Sequence, residues 1–358
     1  MIPGLANPSI GFPFPINDWI LIAMKILVTG GAGFIGSNFI RLLLQEKPQW
    51  VVVNFDKLTY CGNLENLKDI QGEKRYRFVH GDIANKQAVD TLLAEDHFDA
   101  IINFAAESHV DRSILDPSPF MRTNIEGTMV LLEGANKYQI KKFVQVSTDE
   151  VYGSISRGSF SELSNLSSGS PYSASKAAAD LLCLAYWNTY KTPVSITRCT
   201  NNYGPYQFPE KLIPLAISNV LEGKAIPVYG DGLNVRDWIY VEDHCRGLLA
   251  VLEKGKPGEV YNIAGSSEKT NLDIVQTLLK QLGKKQDMIE FVKDRPGHDR
   301  RYSLDDRKIR KELSWKPLYN FDEAIKLTVN WYSENESWWQ RIRTGEYLKY
   351  YEKMYLSR

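Results

Sequence analysis

The chain has 358 residues, of which 43% are hydrophobic and 24% charged, a composition that supports a large core and excludes a disordered protein. Lys+Arg and Asp+Glu both number 43, so a formal charge of zero gives no general attraction to nucleic acid or to a membrane surface. Cys61, Cys183, Cys199 and Cys245 lie far apart without a CxxC, and the five histidines lack metal-ligand spacing, so no metal and no disulfide framework is expected and a reducing compartment, the cytoplasm, fits.

No run of 18 apolar residues occurs, so no membrane-spanning helix is expected. Residues 1–23 hold four prolines and no Lys or Arg, a poor match to a signal peptide, and are set aside as a leader foreign to the fold. From Met24 the chain alternates strand and helix. The run "KILVTG" is a strand, followed by glycines and the helical "FIGSNFIRLLLQE". Further strands are "VVVNFD", "YRFVHGD", "DAIINFAA" and "KFVQVST", with helices in "NKQAVDTLLAE" and "TNIEGTMVLLEGANKY". The strands are continuously apolar rather than alternating, which means cover on both faces and a parallel sheet between helix layers. Such a sheet binds ligands at the carboxyl ends of its strands. Near residue 200 the order loosens into "NNYGPYQFPEKLIP". The expected architecture is α/β: a Rossmann-type doubly wound sheet over 24–200, joined by part of 234–264, with a smaller C-terminal substrate-binding lobe from 201–233 and 265–358.

The segment "TGGAGFIG" places Gly30, Gly33 and Gly36 between a strand and a helix. Glycines there let the backbone approach a pyrophosphate at the helix N-terminus. Asp56 ends the second strand, where a carboxylate accepts from the ribose hydroxyls and repels a 2′-phosphate, favouring NAD over NADP. Lys57 beside it works against that preference. Asp82 ends the third strand and either meets the adenine or caps the next helix.

Pro171 precedes "YSASK", followed by the helical "AAADLLCLAYW". Tyr172 and Lys176, four apart, share a helix face. A nearby ammonium is expected to lower the tyrosine pKa and prepare a base for a sugar hydroxyl. Asp149 and Glu150 stand side by side in "STDEVYG" at the end of a strand. Alone they read as an exposed turn; in this company they read as an acid and a base held in different protonation states by mutual repulsion.

These motifs, with "NFDKLTYCGNLENL", "NFAAESHVDRSI", "TRCTNNYGPYQFPEKLIPL", "YGDGLNVRDWIYVEDHCRG", "NIAG", "EKTNLDIV" and "DRPGHDRRYSLD", resemble the extended short-chain dehydrogenase/reductase family, and within it the sugar-nucleotide 4,6-dehydratases. The resemblance spans about residues 24–305. The leader, Cys61 and "LSNLSSGSPY" depart from the family pattern.

The resemblance implies NAD as cofactor, dTDP-glucose as small-molecule substrate and a homodimer. It implies that Tyr172, with Lys176, takes the C4 hydroxyl proton, that Glu150 takes the C5 proton, that Asp149 protonates the leaving C6 hydroxyl, and that Thr148 bonds the C4 oxygen. It places Phe34, Ile35, Lys57, Leu58, Thr59, Ile83, Phe104, Ala105, Ala106, Glu107, Ser108, Thr123 and Asn202 at the cofactor. It places Ser108, Asn201, Lys211, Leu212, Pro227, Val228, Tyr229, Arg236, Asn271, Asp294, Arg295, Pro296, Gly297 and His298 at the sugar nucleotide. Arg236 and Arg295 suit a pyrophosphate, since a guanidinium makes paired charged hydrogen bonds. Arg300 and Arg301 read as surface ion pairs with Asp299 and Asp305, His109 as a structural hydrogen-bonder, and Trp338, Trp339, Tyr347, Tyr350 and Tyr351 as packing or interface residues. UDP- or CDP-glucose as substrate, a 4-epimerase and a non-catalytic NAD-sensing protein remain as alternatives; an epimerase needs neither Asp149 nor Glu150.

Overall fold

Short runs of branched and aromatic residues, each closed by a glycine or polar turn, dictate strands. The computed structural model describes residues 23–294 and 296–343. The expectations for residues 1–22, Arg295, Tyr347, Tyr350 and Tyr351 lie outside the described residues. Among the described residues the strands are β1 (Lys25–Thr29), β2 (Val51–Asp56), β3 (Tyr76–His80), β4 (Ala100–Asn103), β5 (Lys142–Thr148), β6 (Val194–Cys199), β7 (Asn201–Tyr203), β8 (Ile226–Tyr229), β9 (Val235–Tyr240), β10 (Val260–Ile263), β11 (Glu268–Thr270) and β12 (Ile289–Val292).

Seven of them form one sheet in the order β10-β6-β5-β4-β1-β2-β3, and every neighbouring pair in it is parallel. This is the Rossmann-type doubly wound sheet. Side chains alternate across it, so Ile26 and Val28 of β1 enter one apolar cluster and Leu27 the other. The first cluster holds the helices Phe34–Glu46 and Val241–Lys254; the second holds Lys86–Glu95, Thr128–Lys137 and Pro171–Tyr190. The stretch read as one helix over 123–138 first widens into a π-turn, Met121–Gly127, before the α-helix Thr128–Lys137 begins.

β1 has β2 on one side and β4 on the other. The winding therefore reverses at β1, and a crevice opens outside the carboxyl ends there. Beyond Cys199 come the small sheets β11-β9-β7 and β12-β8. With them pack the helices Leu212–Leu221, Asn271–Gln281 and Phe321–Glu334, whose Ile213, Ile217, Ile274, Leu278 and Ile325 join the same apolar cluster as Ile26. The smaller lobe is thus built onto one face of the main sheet. Trp338 and Trp339 are buried; the Trp338 indole donates to Asn66 Oδ1 at 2.9 Å and the Trp339 indole to the Tyr332 carbonyl at 3.0 Å.

Candidate active site

Two adjoining cavities occupy the crevice. The larger has a volume of about 300 Å³ and the smaller about 150 Å³. Glu150, Asn201, Asn202, Gln207, Glu210 and Lys211 line both.

The glycine turn forms one end of the larger cavity. Gly30 has φ +68, and a Cβ there would stand 2.5 Å from the Ala105 nitrogen. A Cβ on Gly36 would stand 2.5 Å from the Gly30 carbonyl. Only glycine permits this approach, which leaves the N-terminus of the helix Phe34–Glu46 open to the cavity with no side-chain cap. Asp56 anchors the turn. Its Oδ2 accepts from the Ala32 N–H at 2.9 Å and its Oδ1 from the Leu58 N–H at 2.8 Å. Burial pushes its pKa up, against those two bonds. A glycine cradle, an uncapped helix end and a carboxylate at the second strand fit a dinucleotide.

Of the residues expected at the cofactor, Gly30, Gly33, Phe34, Ile35, Gly36, Asp56, Lys57, Thr59, Asp82, Ile83, Phe104, Ala105, Ala106, Glu107, Ser108, Thr123, Tyr172, Lys176 and Asn202 line this cavity. Leu58 does not; it packs against the core and offers its N–H to Asp56. Asp82 is not the helix cap. Asn85 caps the helix, accepting from the Ala88 N–H, while Asp82 accepts from Ala84 and pairs with Lys57 and Arg122.

Thr148, Asp149, Glu150, Tyr172 and Lys176 meet at the other end. β5 ends at Thr148, and its hydroxyl accepts from the Glu150 N–H at 3.3 Å, capping a 3-10 turn over Asp149–Tyr152. The pair is therefore not on an exposed turn: Asp149 is 3% exposed. The Thr148 hydroxyl donates to Asp149 Oδ1 at 3.2 Å, while Asp149 Oδ2 is buried without a hydrogen-bond partner. Burial pushes the Asp149 carboxyl well above its ordinary range, the Glu150 charge pushes the same way, and Arg236 opposes.

Ser170 caps the helix Pro171–Tyr190 in a capping box with Ser173, and Pro171 occupies the first turn. That start aims Tyr172 and Lys176 into the site. The expected lowering of the Tyr172 pKa is overturned. Burial raises it, the Glu150 charge raises it further, and the bond from Thr148 only opposes. Lys176 spends its ammonium on the Val146 carbonyl at 2.6 Å, and burial lowers its pKa. Spacing on the helix was right, but a phenolate here is penalised by lost water and by a carboxylate.

In the smaller cavity lie Asn201, Lys211, Leu212, Pro227, Val228, Tyr229, Arg236, Asn271 and His298. Asp294, Pro296 and Gly297 are not among its lining residues; Asp294 instead bonds His298 Nδ1 at 2.6 Å. Arg236 is 4% exposed, stacks over Tyr302 at 4.3 Å and donates to the Asp299 carbonyl at 2.8 Å. Arg300 and Arg301 do form ion pairs, but with Asp231 and Glu268 rather than Asp299 and Asp305; Asp305 pairs with Arg307. His109 lines the smaller cavity and is buried.

The sequence reading missed Glu210 and Tyr302. Glu210 is buried, accepts from the Tyr60 hydroxyl at 3.0 Å and pairs with Arg112 at 3.3 Å. A lone carboxylate inside the aromatic "YQFPEKL" was the available signal. Tyr302, its pKa raised by burial and then by Glu150, had none beyond its neighbours.

The fold and this site define a nucleotide-dependent enzyme of the extended short-chain dehydrogenase/reductase type. A family described as GDP-mannose 4,6 dehydratase matches residues 27–328. The dTDP-glucose 4,6-dehydratase of Streptomyces niveus is 51% identical over 327 residues, covering 90% of this chain and 97% of that one. That of Shigella flexneri is 49% identical over 361 residues, covering 94% and 100%. The crystal structure of dTDP-glucose 4,6-dehydratase from Bacillus anthracis in complex with NAD is similar at a TM-score of 0.84 and 52% identity, covering 89% of this chain and 99% of that one. A UDP-glucose 4-epimerase from Thermotoga maritima is similar at a TM-score of 0.82 but 30% identity, covering 87% and 100%. The chain belongs to the dTDP-glucose 4,6-dehydratase family.

Proposed function

We propose that this enzyme converts dTDP-glucose to dTDP-4-keto-6-deoxy-glucose and water, supplying deoxysugar biosynthesis of the dTDP-rhamnose type. When bound in the larger cavity, NAD supplies the hydride acceptor and donor together with a positive ring charge. Tyr172, whose phenolate that charge favours against the opposing effect of burial and Glu150, takes the C4 hydroxyl proton, with Thr148 holding the C4 oxygen and Lys176 behind them. Oxidation at C4 acidifies the C5 proton, and Glu150 removes it. Asp149 gives its proton to the C6 hydroxyl, which leaves as water; the hydride removed from C4 is restored at C6 and Glu150 returns a proton to C5, which completes the 4-keto-6-deoxy product. The smaller cavity and its lobe hold the sugar nucleotide, with Asn201 and Lys211 at the junction.

One observation carries the reading: the Asp149 carboxyl is buried beside Glu150 with Oδ2 unpaired. A carboxyl so placed keeps its proton, which an acid must do and a binding carboxylate must not. The same reading takes the protein to work as a homodimer in the cytoplasm; its four free cysteines suit a reducing compartment, and light scattering tests the dimer. Incubation with dTDP-glucose should yield a 4-keto product that absorbs in alkali. Return of a 4-epimer, or of unchanged substrate, would defeat the assignment.

A further inference from the structure

The cation next to Asp56 is unexplained by an enzyme that uses NAD. In Rossmann folds a basic residue at this turn receives the 2′-phosphate of NADP. Lys57 stands there, and Arg122 reaches the same place from the π-turn. Both are spent elsewhere. The Lys57 ammonium lies 2.8 Å from Asp82 Oδ2, and an Arg122 guanidinium nitrogen lies 3.2 Å from the same oxygen. The other oxygen, Oδ1, accepts from the Ala84 N–H at 2.9 Å, which fixes the carboxylate in place.

The neighbourhood is set by the sheet. Asp56 ends β2 and pairs in register with His80, the last residue of β3, and the Gly81 N–H donates to the Asp56 carbonyl at 3.0 Å, so Asp82, two residues beyond β3, lies beside the end of β2. Asp56, Lys57 and Asp82 all line the larger cavity. The Asp82 side chain is 15% exposed, against 45% for Lys57 and 59% for Arg122. The anion thus sits inside and draws two long, exposed cations onto itself. With Asp56 ionised as well, the four charges cancel, and a phosphate gains nothing on arrival.

We propose that Asp82 sets cofactor choice by acting as counter-ion to Lys57 and Arg122, withholding both from a ribose 2′-phosphate. The inference rests on NAD binding in this cavity. Asp56 still repels the phosphate when Asp82 is neutralised, so an Asp82→Asn enzyme keeps a preference for NAD, but a smaller one. Two freed cations near the surface, each interacting with a phosphate, should raise the relative affinity for NADP about tenfold at low salt. Asparagine retains an acceptor for the Ala84 N–H, so the turn is preserved.

The test is displacement of bound NAD by NADP in wild type, in Asp82→Asn and in the double variant Lys57→Gln with Asp82→Asn. The Asp82→Asn holoenzyme should yield to about tenfold less NADP than wild type, the gain should shrink in molar salt, and the double variant should lose most of it. An unchanged NADP-to-NAD ratio in Asp82→Asn that still holds NAD overturns the proposal, as does a gain that survives Lys57→Gln. A further variant avoids dependence on Asp82→Asn: Lys57→Gln with Arg122→Gln and Asp82 intact leaves Asp56 and Asp82 uncompensated and should lower the affinity for NADP relative to NAD by about tenfold or more at low salt. An unchanged ratio there would show that the charges around Asp82 do not reach the phosphate site, and overturn the proposal. Wild type that holds no NAD removes the cofactor reading itself, a result distinct from any of these.

Discussion

Asp56 and Asp149 sit at equivalent places at the two ends of the larger cavity. Each lies at the carboxyl end of a parallel strand, one closing β2 and the other following β5. Asp56 is 7% exposed and Asp149 3%, and burial raises the pKa of both. The partners differ. Both Asp56 oxygens accept backbone N–H bonds, which favour the ionised form. Asp149 has one bond from a hydroxyl, an unpaired oxygen and a carboxylate next door. Two buried carboxyls on one sheet are thus set differently by their neighbours: one is favoured as an anion that holds a loop, the other as a carboxyl that keeps its proton.

The comparison predicts that removing the stored proton costs activity and little stability. Asp149→Asn should slow water loss by about 10²–10⁴-fold, while C4 oxidation continues and NADH absorbance accumulates on the enzyme. Its melting temperature should stay near that of wild type, because no buried partner is stranded. Full-speed product formation by the variant would contradict the acid role.

A carboxylate tied to a buried cation should behave the other way. Asp180 Oδ2 accepts from Arg198 at 2.8 Å with both side chains buried, and the same guanidinium donates to the Tyr152 hydroxyl at 2.8 Å. Asp180→Asn strands that charge and should cost about 3 kcal/mol of unfolding free energy in a denaturant titration. A loss under about 0.5 kcal/mol would put the pair among the ordinary surface bridges.

Asp237 tests the pH consequence. Burial raises its pKa to about 6, against bonds from the Ser267 and Ser266 N–H groups. A raised acid is protonated in the fold at pH values where the unfolded chain has already ionised. Its contribution is complete below about 4 and is lost as pH rises to about 6. Asp237→Asn should flatten stability across that window, a change on the order of 2 kcal/mol by thermal or chemical melts at several pH values. An identical slope in the variant would remove Asp237 as its source.

The smallest effect belongs to Asp56→Asn. It keeps one acceptor for the glycine turn and loses a charge, so stability should fall by about 1 kcal/mol, with NAD bound more weakly and NADP penalised less. Unchanged selectivity in a binding titration would leave Asp56 a loop anchor alone.

Much of this was legible in the sequence, for identifiable reasons. Continuous apolar runs located β1, β2, β4 and β5 because both sheet faces are covered there, whereas β3, at the sheet edge, is only partly buried. Gly30 and Gly36 could be read because a close backbone approach tolerates little else, and Tyr172 with Lys176 because helical spacing fixes their shared face. The small strands β7 and β11, three residues each, are too short to show a period. Asp82 and Asn85 are both helix-capping types, and only the turn geometry chose Asn85. Arg300 and Arg301 find Asp231 and Glu268, partners far along the chain that no local pattern announces. The direction of the Tyr172 shift depends on burial and on Glu150, which helical spacing does not encode.

The central claim is that Asp149 and Glu150 open C6 to a hydride taken from C4. dTDP-glucose carrying deuterium at C4 tests it directly. The product should carry that deuterium at C6, with hydrogen from solvent at C5, as read by mass spectrometry and NMR. Deuterium returned to C4, or absent from C6, would contradict the account even in an enzyme that binds NAD.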